Sequence, residues 1–221
     1  MNVKFAVINE VSCAARNRDI LDALEGYGHE VLNIGMKGLN NEPVLTFIET
    51  GLLSALALNL QIADFVIGGC GTGQGYVNSA LLYPGVAFGP ILTTLDAWMF
   101  IQINAGYCIS LALNEGYGWE SDQNLKMLFA QLFGDMTLWE KGYPPHRAES
   151  EKQTRKQLKV ISSLSHISFS QIIDRLYETE KDMLKNVLFF PGVIDLIRSC
   201  NPDDKELKNK LLEKYDQFLK E

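Results

Sequence analysis

The chain is poor in the residues that build metal sites. Only three histidines, His29, His146 and His166, occur in 221 residues, and they form no HxH or HExxH set, so no histidine-built metal centre is expected. The four cysteines, Cys13, Cys70, Cys108 and Cys200, stand far apart with no CxxC pair. That spacing excludes a zinc ribbon or a dithiol redox motif and predicts reduced thiols. Basic residues are in deficit, 20 Lys and Arg against 27 Asp and Glu, for a formal charge of -7. Nucleic-acid binding is not expected, because phosphate contacts need clustered cations. Long apolar runs are also missing. The longest, Gly51 to Leu60, is too short for a membrane span, so no membrane partner is expected. Met1-Asn2-Val3-Lys4-Phe5 enters a strand-like run with no secretory leader ahead of it, which predicts a cytoplasmic location. The sequence holds no internal repeat and no low-complexity tract.

With 47% hydrophobic and 21% charged residues, the chain can bury a proper core, and its length suits one domain with an appendage. Val3 to Ile8 reads as a first buried strand. Residues 14–25 read as a helix with Ile20, Leu21 and Leu24 on one face, ended by Gly26 and Gly28. Glu30 to Ile34 is a second strand, and Pro43 to Leu60 an apolar helix with Pro43 in its first turn. Asp64 to Ile67, Gly85 to Phe88 and Tyr107 to Leu113 read as three more strands, with a helix over Leu95 to Ile103. Buried runs alternating with helices predict an α/β fold: a Rossmann-like, doubly wound, parallel five-stranded sheet.

The remainder has a different pattern. Asn124 to Phe133 reads as a helix. Residues 140–157 are polar and broken by Pro144-Pro145. Ser168-Phe169-Ser170-Gln171 has the form of a capping box. The helix behind it carries Ile172, Ile173, Leu176, Met183, Leu184 and Val187 until Pro191 stops it, and a last helix spans about 204–219. The expected organisation is an α/β domain over residues 1–160 and a C-terminal helical extension over 161–221.

One segment carries chemistry. Residues 68–75 read Gly-Gly-Cys-Gly-Thr-Gly-Gln-Gly, directly behind the third apolar strand. Glycines let backbone N–H groups converge on an anion because no Cβ blocks the approach. A helix beginning near Tyr76 would aim its positive end at the same point. Such a turn could bind a phosphate, stabilise an oxyanion, or favour the thiolate of Cys70. In parallel sheets, ligands sit beyond the carboxyl ends of the strands, where Cys70 lies. Cys108 and Cys200 read as small buried hydrophobes.

Several segments together resemble the ribose-5-phosphate isomerase B / galactose-6-phosphate isomerase family of sugar-phosphate isomerases. They are Gly28-His29-Glu30-Val31 with Ile34-Gly35, Cys70-Gly71-Thr72-Gly73-Gln74-Gly75, Pro84-Gly85-Val86, and Asn104-Ala105 before an apolar strand. The resemblance covers roughly residues 1–160. It implies a cofactor-independent aldose–ketose isomerase that moves a proton between adjacent carbons through an enediolate, on a small-molecule sugar phosphate. Cys70 would be the base. Thr72 and the backbone N–H groups of Gly71, Gly73 and Gly75 would hold the oxyanion, and Gln74 would orient substrate. The resemblance also implies a homodimer or dimer of dimers with the active site at the subunit boundary.

The departures are specific. Where the family has Asp-His after the first strand, this chain has Asn9-Glu10. Asn9 falls among the substrate contacts. Glu10 either takes part in proton transfer, accepts sugar hydroxyls, or is a solvated loop charge. Ile103 occupies the place of the family's ring-opening histidine, beside Asn104, a hydroxyl contact. Leu82 replaces a lysine. Arg155 falls at the second of two phosphate arginines and Glu151 at the first, with Lys152 or Arg147 as substitutes or as solvated charges. These losses put ribose 5-phosphate in doubt as the substrate. They leave a non-catalytic or partner-dependent subunit as the alternative. A nucleotide-binding domain fits less well, because its glycines follow the first strand and these follow the third.

Overall fold

The computed structural model describes residues 3–221, so the first two residues of the opening run, Met1 and Asn2, lie outside the described range. The five apolar runs form five parallel strands: Lys4–Asn9 (β1), Glu30–Asn33 (β2), Phe65–Cys70 (β3), Phe88–Ile91 (β4) and Cys108–Ala112 (β5). Their order is β2-β1-β3-β5-β4, with every neighbouring pair parallel. The central strands are continuous apolar runs because both faces are covered: all six residues of β3 are buried. Within β1, Phe5 and Val7 enter one core while Ala6 and Ile8 enter the other, as the two-residue period of a strand requires.

Helices Asn17–Leu24 (α1), Phe47–Asn59 (α2), Gln74–Ala80 (α3), Thr94–Met99 (α4) and Ser121–Phe133 (α5) cover the sheet. The helices α1, α4 and α5 pack on one face around Phe65, Phe100, Phe129 and Phe133. On the other face lies α2. Outside α2 are Phe169–Thr179 (α7), Lys181–Phe189 (α8), Val193–Ser199 (α9) and Lys205–Phe218 (α10), reached through Ala148–Ser165 (α6). One apolar cluster joins α2 to these last helices through Leu52, Leu56, Ile173, Leu184 and Leu211. That layering explains why α2 has no polar face: Glu49 through Ala57 are all buried. Among the described residues no helix is long and apolar enough to cross a membrane.

Several boundaries move relative to the sequence reading. The helix expected from Pro43 starts at Phe47, because Thr46 and Glu49 form a reciprocal capping box there. The helix expected over 14–25 begins with a 3-10 turn, Val11–Arg16, before α1. The third strand runs on through two glycines to Cys70. A side chain at Gly68 would collide with the Tyr76 hydroxyl, and one at Gly69 with the Leu111 carbonyl. The fourth strand lies at 88–91 instead of 85–88, and Gly85 has a positive φ that places it in the preceding turn. Pro90 is tolerated in β4 because that strand is an edge. The helix expected over 95–103 ends in a π-turn, Phe100–Asn104. The polar stretch after Pro144-Pro145 becomes α6, which runs through the boundary expected at 160/161. The helix expected behind Ser168 is broken at Glu180 into α7 and α8.

The shared cluster makes a prediction about cooperativity. Leu184 is fully buried between α2 and the C-terminal helices. Leu184→Ala is expected to lower stability by about 2–5 kcal/mol in one urea transition seen alike by far-UV and near-UV circular dichroism. Two separated transitions would show instead that the extension unfolds on its own.

Candidate active site

From β1 the chain crosses to β2 on one side, while β3 lies on the other. The crevice between the carboxyl ends of β1 and β3 is therefore the topological switch point, where open parallel sheets bind ligands. Asn9 ends β1 and Cys70 ends β3, and Asn9 is in register with Gly69. Asn9 is fully buried; its Nδ2 donates to Asn17 Oδ1 at 3.2 Å, while its Oδ1 has no hydrogen-bond partner. Glu10 follows and is only 4% exposed, which rules out the reading of a solvated loop charge. Its Oε1 accepts a hydrogen bond from the Ser12 hydroxyl.

The glycine loop is held from two sides. The Gly71 N–H donates to Ser12 Oγ at 3.1 Å. The Gly71 carbonyl accepts from the N–H groups of Asn114 and Glu115, both at 2.9 Å. Asn114 Nδ2 donates to the Ser12 carbonyl at 2.8 Å. The Gly71 N–H, expected among the oxyanion donors, thus donates to a side chain within the chain itself. Gly73 has φ +76° and turns the chain into α3, whose first turn leaves the N–H of Gly75 without an intrahelical acceptor. Thr72 Oγ1 lies 4.0 Å from Cys70 Sγ and accepts the Gln74 N–H at 3.3 Å.

Beside this loop is a cavity of about 570 Å³ lined by Thr72, Gln74, Asn78, Ser110, Tyr117 and Asn124, among others. Among the described residues its wall carries no Lys or Arg, and its one charge is Glu115.

The second thiol near the site is of a different kind. Burial, then the Glu10 carboxylate, pushes the Cys13 thiol up to about 12; its Sγ donates to the carbonyls of Gly69 and Glu10. Burial likewise pushes the Cys108 thiol well up. A raised pKa keeps both protonated at ordinary pH, and the thiol reacts far more slowly than the thiolate. Iodoacetamide at pH 8 is therefore expected to leave Cys13 and Cys108 unlabelled in the folded protein, as peptide mass mapping would read.

Asn104 and Arg155 lie elsewhere. Asn104 closes the π-turn ahead of β5, so it sits at the amino end of the sheet, roughly 15 Å of strand from the carboxyl end that carries Cys70. Arg155, on α6, donates from Nη1 to the Ile103 carbonyl at 2.6 Å, and its Nη2 is 3.3 Å from Glu140 Oε2. Within one chain these two residues do not join the loop. One turn before Arg155, Glu151 is buried with one carboxylate oxygen unpartnered. Lys152 and Arg147 are exposed. His29 accepts the Val3 N–H and packs against Phe5, a structural role.

Sequence reasoning missed Ser12, Asn114 and Tyr117. Only their positions just past the carboxyl ends of β1 and β5 could have signalled them, and those ends become meaningful once the strand order is known.

No model of a protein family and no curated protein matches the chain. Solved structures do. A 4-deoxy-L-threo-5-hexosulose-uronate ketol-isomerase, crystallised with a tartrate, is 34% identical, with a TM-score of 0.86 over 96% of this chain and 99% of that one. A ribose-5-phosphate isomerase of the LacAB/RpiB type from Vibrio parahaemolyticus is 29% identical, with a TM-score of 0.87 over 97% of this chain and 100% of that one. The type B ribose 5-phosphate isomerase of Leishmania infantum, 16% identical, shares the fold with a TM-score of 0.60 over 75% of this chain. The helices behind α6 are thus matched in the two more similar proteins. A five-stranded sheet with a cysteine at its switch point and full-length similarity to these enzymes place the chain in the ribose-5-phosphate isomerase B/LacAB family, and the protein is a sugar isomerase.

Proposed function

We propose that the protein is a cofactor-independent ketol-isomerase that works through an enediolate, with Cys70 as the base, on an open-chain acidic sugar. The observation that carries this reading is the meeting of Cys70, Thr72 and the Glu10–Ser12 pair at one switch point. Moving a proton between adjacent carbons needs a base within reach of both and donors for the oxygen that gains charge. The Cys70 thiolate removes the proton. Thr72 Oγ1 and the N–H groups of Gly73 and Gly75 face the developing oxyanion. Gln74 contacts substrate hydroxyls from the cavity wall.

The acidic-sugar substrate is supported by what position 103 lacks, once a second copy brings that segment to the loop. A closed sugar ring needs acid–base help to open, and Ile103 supplies none. The substrate named for the 34% identical relative has a carbonyl at carbon 5 and no hydroxyl at carbon 4. Its aldehyde therefore has neither of the hydroxyls that close pyranose and furanose rings. A sugar of that kind makes a ring-opening group unnecessary. A sugar phosphate is the second reading, favoured by the full-length similarity to a ribose-5-phosphate isomerase.

Asn104 and Arg155 complete a site only if a second copy brings them to the loop, so the working unit is a homodimer at least. In support, α6 carries exposed apolar side chains at Leu158, Ile161 and Leu164, a stripe that a second copy would cover. Sedimentation at micromolar concentration is expected to give a dimer or larger, and a monomer would remove the reading. Arg155→Ala is expected to raise KM about tenfold with little change in kcat, because an anion clamp contributes mostly uniform binding. The overall proposal is tested with purified protein alone against uronates and sugar phosphates. Turnover without any added subunit supports the enzyme; none on the whole panel supports the partner-dependent alternative.

A further inference from the structure

Aldose–ketose isomerisation moves two hydrogens. One passes from carbon 2 to carbon 1, and one from oxygen 2 to oxygen 1. Under the proposed function Cys70 carries the first, and nothing yet carries the second. We propose that Ser12, backed by Glu10, is the catalytic residue that carries the oxygen-bound proton.

The geometry makes Ser12 the group that meets substrate. Glu10 is 4% exposed, so its carboxylate lies behind the surface of the crevice, while Ser12 is exposed. The Ser12 hydroxyl donates to Glu10 Oε1 and accepts the Gly71 N–H at 3.1 Å. These two bonds fix the oxygen beside the peptide that follows Cys70. The Ser12 carbonyl is tied to Asn114 Nδ2, and Asn114 is tied to Gly71, so the hydroxyl and the thiol sit on one braced unit. Thr72 stands near the thiol at 4.0 Å. The two adjacent oxygens of a cis-enediol lie close enough together for one hydroxyl to serve both.

The step balances within the substrate. The Cys70 thiolate takes the proton from carbon 2; that C–H pair forms the C1–C2 double bond, and the carbonyl π pair moves to oxygen 1. The proton of oxygen 2 passes to Ser12 Oγ as the Ser12 proton passes to Glu10 Oε1, and the same relay run backwards delivers a proton from Ser12 to oxygen 1. The pair left on oxygen 2 forms the new carbonyl, and the C1–C2 pair takes the proton from the Cys70 thiol. Carbon 1 is reduced, carbon 2 is oxidised, and no outside reductant is needed. Glu10, acting through Ser12, holds the relayed proton between the two transfers and returns it to the Ser12 oxygen at the end.

The test separates the two protons in D2O with the best substrate of the panel. Solvent deuterium entering at carbon 2 reports the Cys70 step alone, and product formation needs both steps. Ser12→Ala is expected to lower isomerisation about 100-fold or more, the usual range for lost proton transfer, and to lower exchange at least tenfold less. The ratio of exchange to isomerisation therefore rises. Ser12→Thr, which keeps the hydroxyl, is expected to restore most of the rate. Glu10→Gln should shift the ratio in the same direction, and the double variant should be no worse than Ser12→Ala. Equal losses of exchange and isomerisation in Ser12→Ala would give Ser12 a structural role only and overturn the inference, as would an unimpaired rate. Exchange that persists in Cys70→Ala would instead remove the proposed function, whatever Ser12 does.

Discussion

Replacing Cys70 with alanine is expected to lower kcat by about a thousandfold or more, within the range seen when a positioned acid–base group is lost, while the fold survives. The residue ends β3 and is 6% exposed, so the change removes one sulfur from the rim of the crevice. The loop behind it does not depend on that sulfur. Gly71 is held by Ser12 and Asn114, and Gln74 is capped by Thr72. The thiol's own contact, to Thr72 at 4.0 Å, is too long to support the turn. Cys70→Ser tests the chemistry further, because a serine hydroxyl of the same shape is a far weaker base at neutral pH. Steady-state kinetics with circular dichroism decide the matter. A Cys70→Ala variant with kcat near the parent's would end the role assigned to the thiol.

The second large effect concerns substrate choice. The kcat/KM for 4-deoxy-5-hexosulose uronate is expected to exceed that for ribose 5-phosphate by about 100-fold or more, equivalent to losing one acid–base group. Two features combine. Ribose 5-phosphate spends most of its time as a closed ring, and the half-buried Ile103 has no proton to give or take. A phosphate dianion also needs cations. The cavity beside the loop has none. Arg155 already pairs with Glu140, and Glu151, one turn away, brings a buried carboxylate. A singly charged carboxylate demands less of one guanidinium than a phosphate does. Product detection across a panel of uronates and aldose phosphates reads the ratio directly. If ribose 5-phosphate were the best substrate, another group would have to open the ring, and the reading of Ile103 would be wrong.

What the sequence by itself determined was the five-stranded α/β architecture and the place of the cysteine, though not α6, α9 or the break between α7 and α8. Continuous apolar runs alternating with helical stretches dictated a two-sided parallel sheet, because only a strand covered on both faces can be apolar throughout. A cysteine followed by closely spaced glycines marked the end of such a strand, since glycine lets the backbone turn, as Gly73 does with its positive φ. The capping box at Ser168 was readable for the same local reason. Tertiary structure alone decided which side chains share a site. The Gly71 N–H reads from the sequence as an oxyanion donor, and its partner within the chain, Ser12, lies 59 residues away. Arg155 reads from the sequence as one of two phosphate arginines, but its contacts within the chain, to Ile103 and Glu140 at the other end of the sheet, become visible only in the fold. The unpaired edge that accepts Pro90, and the exchange of β4 and β5 in the sheet order, follow from how helices pack on two faces. Local periodicity records whether a residue is buried, not against what, so partners far apart in the chain become visible only when the sheet is assembled.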